Sequence, residues 1–235
     1  MSFLIAEWRK LLLANYIIDP ALLQDYVPYK TELDLWQNRC YVSLVGFMFK
    51  NTRLLGLKIP FHVNFEEVNL RFYVKYQDAG EWKRGVVFIK EIVPRFALSF
   101  VANTIYGEHY QTLAMRHKWL ETDQNRKVSY SWKHQRQWHT LSATAQLQPE
   151  AITADSETEF ITEHYWGYTQ VGPKKTNEYR VTHPTWEVYP VLDYNIDVDF
   201  GNLYDERFSF LNDVKPDSVM LAEGSEITVE STRRI

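Results

Sequence analysis

Val68-Asn69-Leu70-Arg71-Phe72-Tyr73-Val74-Lys75-Tyr76 decides the fold. Val68, Leu70, Phe72, Val74 and Tyr76 fall on one face of an extended chain, and Asn69, Arg71, Tyr73 and Lys75 fall on the other. That period of two is the mark of a β-strand. The turn residues Asp78-Ala79-Gly80 follow, and 85–93 forms a second apolar run, so the two strands are expected to pair as a hairpin. Two readings of the polar face stay open. It can meet solvent, the commoner case for antiparallel sheets, or line the interior of a sheet curved into a barrel.

Working outward, residues 7–17, 39–49, 129–134 and 139–147 carry the same strand character. In the last of these, Leu141, Ala143, Ala145 and Leu147 alternate with Thr140, Ser142, Thr144 and Gln146, a small apolar row suited to close packing. Asp19-Pro20 opens a short helix that ends at Pro28, because Asp caps well and Pro is tolerated at the first helical position. Ser156 and Glu159 form a capping box whose helix is expected to reach Trp166 and stop at Gly167. Residues 96–106 suggest a further helix, and 202–207 another. Residues 178–198 read as strand broken by Pro184 and Pro190, and 218–221 with 226–230 read as a terminal hairpin around Gly224. The expected class is α+β, mainly antiparallel β, as a single domain over residues 1–235.

Composition narrows the function. Hydrophobic residues are 45% and charged residues 24%, the usual balance for a globular domain, and the net charge of −4 argues against a nucleic-acid groove. Glu7, Arg9 and Lys10 interrupt the apolar N-terminal run, so it suits neither a membrane span nor a signal peptide. A cytoplasmic location is the expectation, with no membrane partner. The lone Cys40 cannot form an intrachain disulfide and reads as a core filler. Aromatic residues reach 15%, which suits a β-rich core and also a lined cavity.

Sites of familiar chemistry are missing. No glycine-rich phosphate loop, nucleophile elbow or His-Glu-x-x-His motif occurs. The seven histidines show no ligand-pair spacing, so neither metal nor cofactor is expected. Lys90 and Glu91 are more suggestive, because they lie between the apolar runs 86–89 and 96–98. A buried lysine can lose its proton and act as an amine nucleophile. On a strand, Lys90 and Glu91 face opposite sides.

Asn69-x-Arg71-x-Tyr73-Val74, Gly85-Val86-Val87-Phe88, Glu163-x-Tyr165-x-x-Tyr168 and His183-Pro184-x-Trp186 occur in that order, together with Trp8 and the 19–28 helix. This series resembles the YqjF-like proteins, the domain-of-unknown-function family 2071, within the acetoacetate decarboxylase-like superfamily. The resemblance implies curved sheets or a barrel around a cavity, with a few short helices. In acetoacetate decarboxylase, a lysine following a proline attacks the substrate ketone and forms a Schiff base. Here Lys90-Glu91-Ile92-Val93-Pro94-Arg95-Phe96 resembles that segment, and Arg95 and Phe96 stand where the lysine pair would be. Arginine stays protonated, so decarboxylase activity is not expected. The resemblance also places Arg9 near the enzyme's substrate-binding arginine.

Three functions compete. The first is a small-molecule binder whose cavity takes a keto, carboxylic or phenolic ligand through Arg9, Arg71, Tyr73, Arg95 and Tyr106. The second is an enzyme with Lys90 as Schiff-base amine and Glu91 or Glu108 as general acid or base. The third is a homo-oligomeric interaction module that covers its sheet edges by self-association.

Overall fold

The computed structural model describes residues 2–94 and 110–235. The strands are β1 (Ser2–Ile17), β2 (Glu32–Leu33), β3 (Tyr41–Leu54), β4 (Phe65–Asp78), β5 (Glu81–Val93), β6 (Tyr110–Thr112), β7 (Ala114–Glu121) and β8 (Arg126–His134). They continue as β9 (Gln137–Ala145), β10 (Glu150–Ala151), β11 (Trp166–Gly172), β12 (Lys175–Thr182), β13 (Glu187–Tyr189), β14 (Val191–Asp197), β15 (Ser218–Glu230) and β16 (Arg233–Arg234). Two short α-helices, α1 (Glu157–Thr162) and α2 (Phe200–Leu203), and two 3-10 helices, Pro20–Tyr26 and Glu206–Asn212, complete it.

The large sheet runs β15-β1-β3-β4-β5-β11-β12, and β12 pairs again with β15 through Val181 and Val229. These strands therefore close into a barrel. Every pairing in the ring is antiparallel except β5 with β11. The second sheet, β14-β9-β8-β7, covers the outer face. Its Val128, Tyr130, Trp132, Leu141 and Ala143 share one apolar cluster with Leu12, Leu44, Leu70 and Phe72 of the barrel wall. Gly46 makes this contact possible, since a β-carbon there would lie 2.8 Å from the Tyr130 ring. The other cluster lies inside the barrel and includes Leu11, Val45, Phe47, Phe65, Tyr73, Val86 and Trp186.

Both faces of β4 are thus buried, and the interior reading of its polar face is the correct one. Val68, Leu70, Phe72 and Val74 face the second sheet, while Glu67, Asn69, Arg71 and Tyr73 point into the barrel. The 78–81 turn closes the β4–β5 hairpin with Ala79 and Gly80 both at positive φ, which matches the twist of the strands. Asp19 caps the Pro20–Tyr26 helix as expected, its carboxylate accepting from Ala21 N at 2.9 Å.

Two expectations need correction. Ser156 does accept from Glu159 N, but α1 ends at Thr162 and Trp166 begins β11. Gly167 is a point of close approach, not a helix stop: a β-carbon there would lie 2.1 Å from the Tyr179 ring. Residues 218–230 form one strand, not a hairpin, paired along its length with β1. Gly224 takes φ +81 opposite Arg9, where a β-carbon would meet Trp8 O at 2.0 Å. The helix expected at 96–106 lies outside the described residues.

The parallel seam between β5 and β11 rests on Gly85, whose added β-carbon would fall 2.5 Å from Trp166 O. Backbone cannot yield as a side-chain tip can. Gly85→Ala is therefore expected to destabilise the fold by about 3 kcal/mol in urea denaturation, the cost typical of overpacking. An unchanged midpoint would mean that the seam is not tight.

Candidate functional site

A partly open pocket of about 210 Å³ lies in the barrel. Phe47, Phe49, Phe65, Phe88, Trp166, Tyr179 and Trp186 are among its walls, with Trp8 and Leu11 from β1. Its polar side is formed by Glu67, Asn69, Arg71, Glu91, Tyr110, His164 and His183. Mostly apolar walls with a few converging polar groups are typical of small-molecule sites.

Strand phase explains why these residues meet. Glu67, Asn69 and Arg71 alternate along β4 and share its inner face. On β5, Phe88 pairs with Arg71, Lys90 with Leu70 and Glu91 with Asn69, so Ile89 is an extra residue at a bulge. The bulge shifts the phase of everything after it. Glu91 enters the cavity, and Lys90 turns to the outer face.

Glu67 is 2% exposed and accepts from Asn69 Nδ2 at 3.0 Å and from the Tyr110 hydroxyl at 3.3 Å. Burial, followed by the nearby Glu67 and Glu91 charges, pushes the Tyr110 hydroxyl far above its ordinary pKa, so it stays a donor. Arg71 is 8% exposed and forms no ion pair with a described carboxylate. Its Nε is buried without a hydrogen-bond partner, and its guanidinium lies 5.7 Å from the Tyr73 ring.

His164 follows α1 and is fixed from behind. Its Nε2 meets Asp34 Oδ2 at 3.2 Å, and Arg84 Nε donates to the same oxygen at 2.6 Å. Burial drives the imidazole pKa down to about 4, although the Asp34 hydrogen bond opposes this and the charges of Arg84 and Arg71 add to it. Burial alone would raise the Asp34 carboxyl, but the His164 and Arg84 hydrogen bonds outweigh it and hold it low. The imidazole is therefore neutral, with its proton on Nε2. Nδ1 keeps a lone pair and has no partner. His183 stacks on Trp186 at 4.1 Å and bonds Pro184 O through Nδ1 at 2.9 Å. Burial lowers its pKa as well.

The structure sorts the expected site residues. Arg71 and Glu91 line the cavity. Tyr73 lies just behind it, packed 4.7 Å from the His164 ring, with its hydroxyl 2.7 Å from Ser43 Oγ. Arg9 does not reach the cavity; it pairs with Glu7 at 2.7 Å and donates to Gly224 O, on the side opposite Trp8. Lys90 does not reach it either, because the bulge sends its ammonium to Leu203 O near the Tyr204 ring. Burial lowers the Lys90 pKa. Arg95, Tyr106 and Glu108 lie outside the described residues. Glu67, Asn69, Asp34, His164 and His183 join the site beyond those expected for ligand binding. Extending the β4 alternation back from Asn69 would have found Glu67.

No group of three or more His, Cys, Asp or Glu among the described residues is arranged to hold a metal ion. Cys40 is buried, which pushes its thiol pKa up to about 11. No described helix is long and apolar enough to cross a membrane.

Comparison with known proteins places this geometry. An acetoacetate decarboxylase-like enzyme from Sphingomonas wittichii RW1 superposes with a TM-score of 0.68 at 12% identity, covering 100% of this chain and 94% of that one. The enduracididine biosynthesis enzyme MppR with bound HEPES gives 0.71 at 10% identity, covering 100% and 88%. Acetoacetate decarboxylase from Legionella pneumophila gives 0.65 at 14%, covering 98% and 86%. At these identities the likeness shows the acetoacetate decarboxylase-like fold alone. The uncharacterised protein YqjF of Bacillus subtilis (strain 168) is 35% identical over 82 residues, which span 34% of this chain and only 32% of that protein's length. The model of DUF2071, described as an uncharacterised conserved protein, matches residues 5–226, and the chain belongs to that family.

Proposed function

We propose that the protein binds a small organic acid in the barrel cavity, without acetoacetate decarboxylase chemistry. The observation that carries this reading is Arg71: a buried guanidinium without an ion-pair partner among the described residues, on the polar side of a chamber whose other walls are largely aromatic. A buried cation is costly unless it is paired, so the site gains most from a ligand that brings the missing anion. A carboxylate matches the planar fork of arginine. The aromatic walls suit a ring or a short hydrocarbon chain. Keto and phenolic acids share these features.

Schiff-base chemistry requires an amine in the chamber, and no described lining residue is a lysine. Segment 95–109 contains no lysine in its sequence. Lys90 is directed to the outer face. Lys90→Met is accordingly expected to leave organic-acid binding within about twofold, well below the tenfold that 1.4 kcal/mol represents. A loss of tenfold or more would return Lys90 to the site.

The direct test is a thermal-shift series with benzoate, phenylacetate, keto acids and phenolic acids, together with the uncharged phenylacetamide. A ligand that binds only the folded state raises the melting temperature in proportion to the logarithm of its saturation. At least one acid should raise it clearly more than the amide does, and Arg71→Met should remove that difference. No shift with any acid at high millimolar concentration, or equal shifts with acid and amide, would overturn the proposal.

A further inference from the structure

Among the described cavity-lining residues, Trp8, Thr52, Asn69, Arg71 and His164 each hold a buried polar atom without a hydrogen-bond partner, and those of Asn69 and His164 are pure acceptors. The Asn69 amide is oriented by its bond to Glu67: a carboxylate can only accept, so Nδ2 faces it and Oδ1 is the free end. That Oδ1 is buried without a partner, in a residue only 1% exposed. His164 is held by Asp34 through Nε2–H, so its Nδ1 is a second buried acceptor without a partner. Asn69 and Arg71 sit two residues apart on the inner face of β4, roughly 7 Å along the strand. Arg71 and His164 both pack on Tyr73, the guanidinium 5.7 Å and the imidazole 4.7 Å from its ring.

Buried polar groups are normally satisfied, and an unpaired acceptor selects for a donor. Resting on the organic-acid reading above, we propose that the ligand is a hydroxy acid: its carboxylate takes Arg71, and a hydroxyl on the adjacent carbon donates to Asn69 Oδ1 or His164 Nδ1. A keto acid of the same shape would set its carbonyl oxygen against these lone pairs and leave them unsatisfied. An acid with no second oxygen would also leave them unsatisfied, but without the repulsion.

The test is calorimetric titration of the wild-type protein with mandelate, benzoylformate and phenylacetate. These share a ring and a carboxylate and differ only in bearing a hydroxyl, a ketone or hydrogen on the intervening carbon. None can present an enol hydroxyl next to its carboxylate by simple keto–enol exchange at that carbon. One mandelate enantiomer is expected to bind at least tenfold tighter than either analogue. Asn69→Leu or His164→Phe, whichever removes the accepting atom, should bring mandelate to the level of phenylacetate. Benzoylformate or phenylacetate binding as tightly as mandelate would overturn the hydroxy-acid inference and leave the organic-acid reading standing. Failure of all three to bind at high millimolar concentration would overturn this inference, and the thermal-shift series would then decide the broader reading separately.

Discussion

Arg71→Met is expected to lower the affinity for organic acids at least 30-fold, while Arg71→Lys lowers it less. A carboxylate held by a buried guanidinium makes charge-assisted hydrogen bonds in a setting poor in water. Truncating one partner of such a pair costs about 2–5 kcal/mol. Lysine keeps the charge but loses the fork, so it should restore part of the affinity. Neutral ligands of the same shape should respond little to either variant, since their binding rests on the aromatic walls. Titration of the three proteins with phenylacetate and phenylacetamide checks this. Equal affinity of wild type and Arg71→Met for phenylacetate would mean that the guanidinium only fills space.

The second large effect is a loss of stability in weak acid. His164 is neutral when folded because burial holds its pKa at about 4, whereas an unfolded histidine titrates near 6.5. Between those values the unfolded chain binds more protons than the native one. Stability is therefore fully present above about pH 6.5 and is lost as pH falls toward 4, by about 1.4 kcal/mol per unit and about 3 kcal/mol over the window. Burial lowers the pKa of His183 and of His139 too, and both add to the same limb. Asp34 belongs to a different window: its carboxyl is held below the ordinary value, so its contribution is lost only at lower pH. Urea denaturation between pH 7 and 4.5 should show a steep decline in the wild type. His164→Gln keeps a donor for Asp34 without a titrating ring, so its decline should be shallower. Parallel curves would show that His164 is not buried neutral.

Much of the architecture was legible along the chain because β-structure writes a period of two into the sequence. The 68–76 alternation identified β4, placed Asn69 and Arg71 on one face and paired the strand with β5. It could not say whether that face met solvent or a cavity. That depends on closure of the barrel by β12 with β15, through residues nearly fifty positions apart, and on no local pattern. The bulge at Ile89 was equally hidden. Nothing in 85–93 marks the extra residue, yet it decides that Glu91 and not Lys90 enters the chamber. Gly224 looked like a turn because glycine favours turns, but here it relieves a close approach to β1. Asp34 and His164 meet across 130 residues, so no spacing rule could join them. The family resemblance supplied the cavity; the strand phase supplied its occupants.

The central claim is that Arg71 receives a carboxylate inside the barrel. A crystal structure of the protein grown with phenylacetate at saturating concentration tests it most directly. The account predicts the ring among Phe47, Phe65, Phe88 and Trp186, with a carboxylate oxygen within hydrogen-bond distance, about 3 Å, of the Arg71 guanidinium. An empty chamber in which Arg71 has swung to pair with Glu67 or Glu91, or a ligand bound with its carboxylate turned away from Arg71, would contradict it.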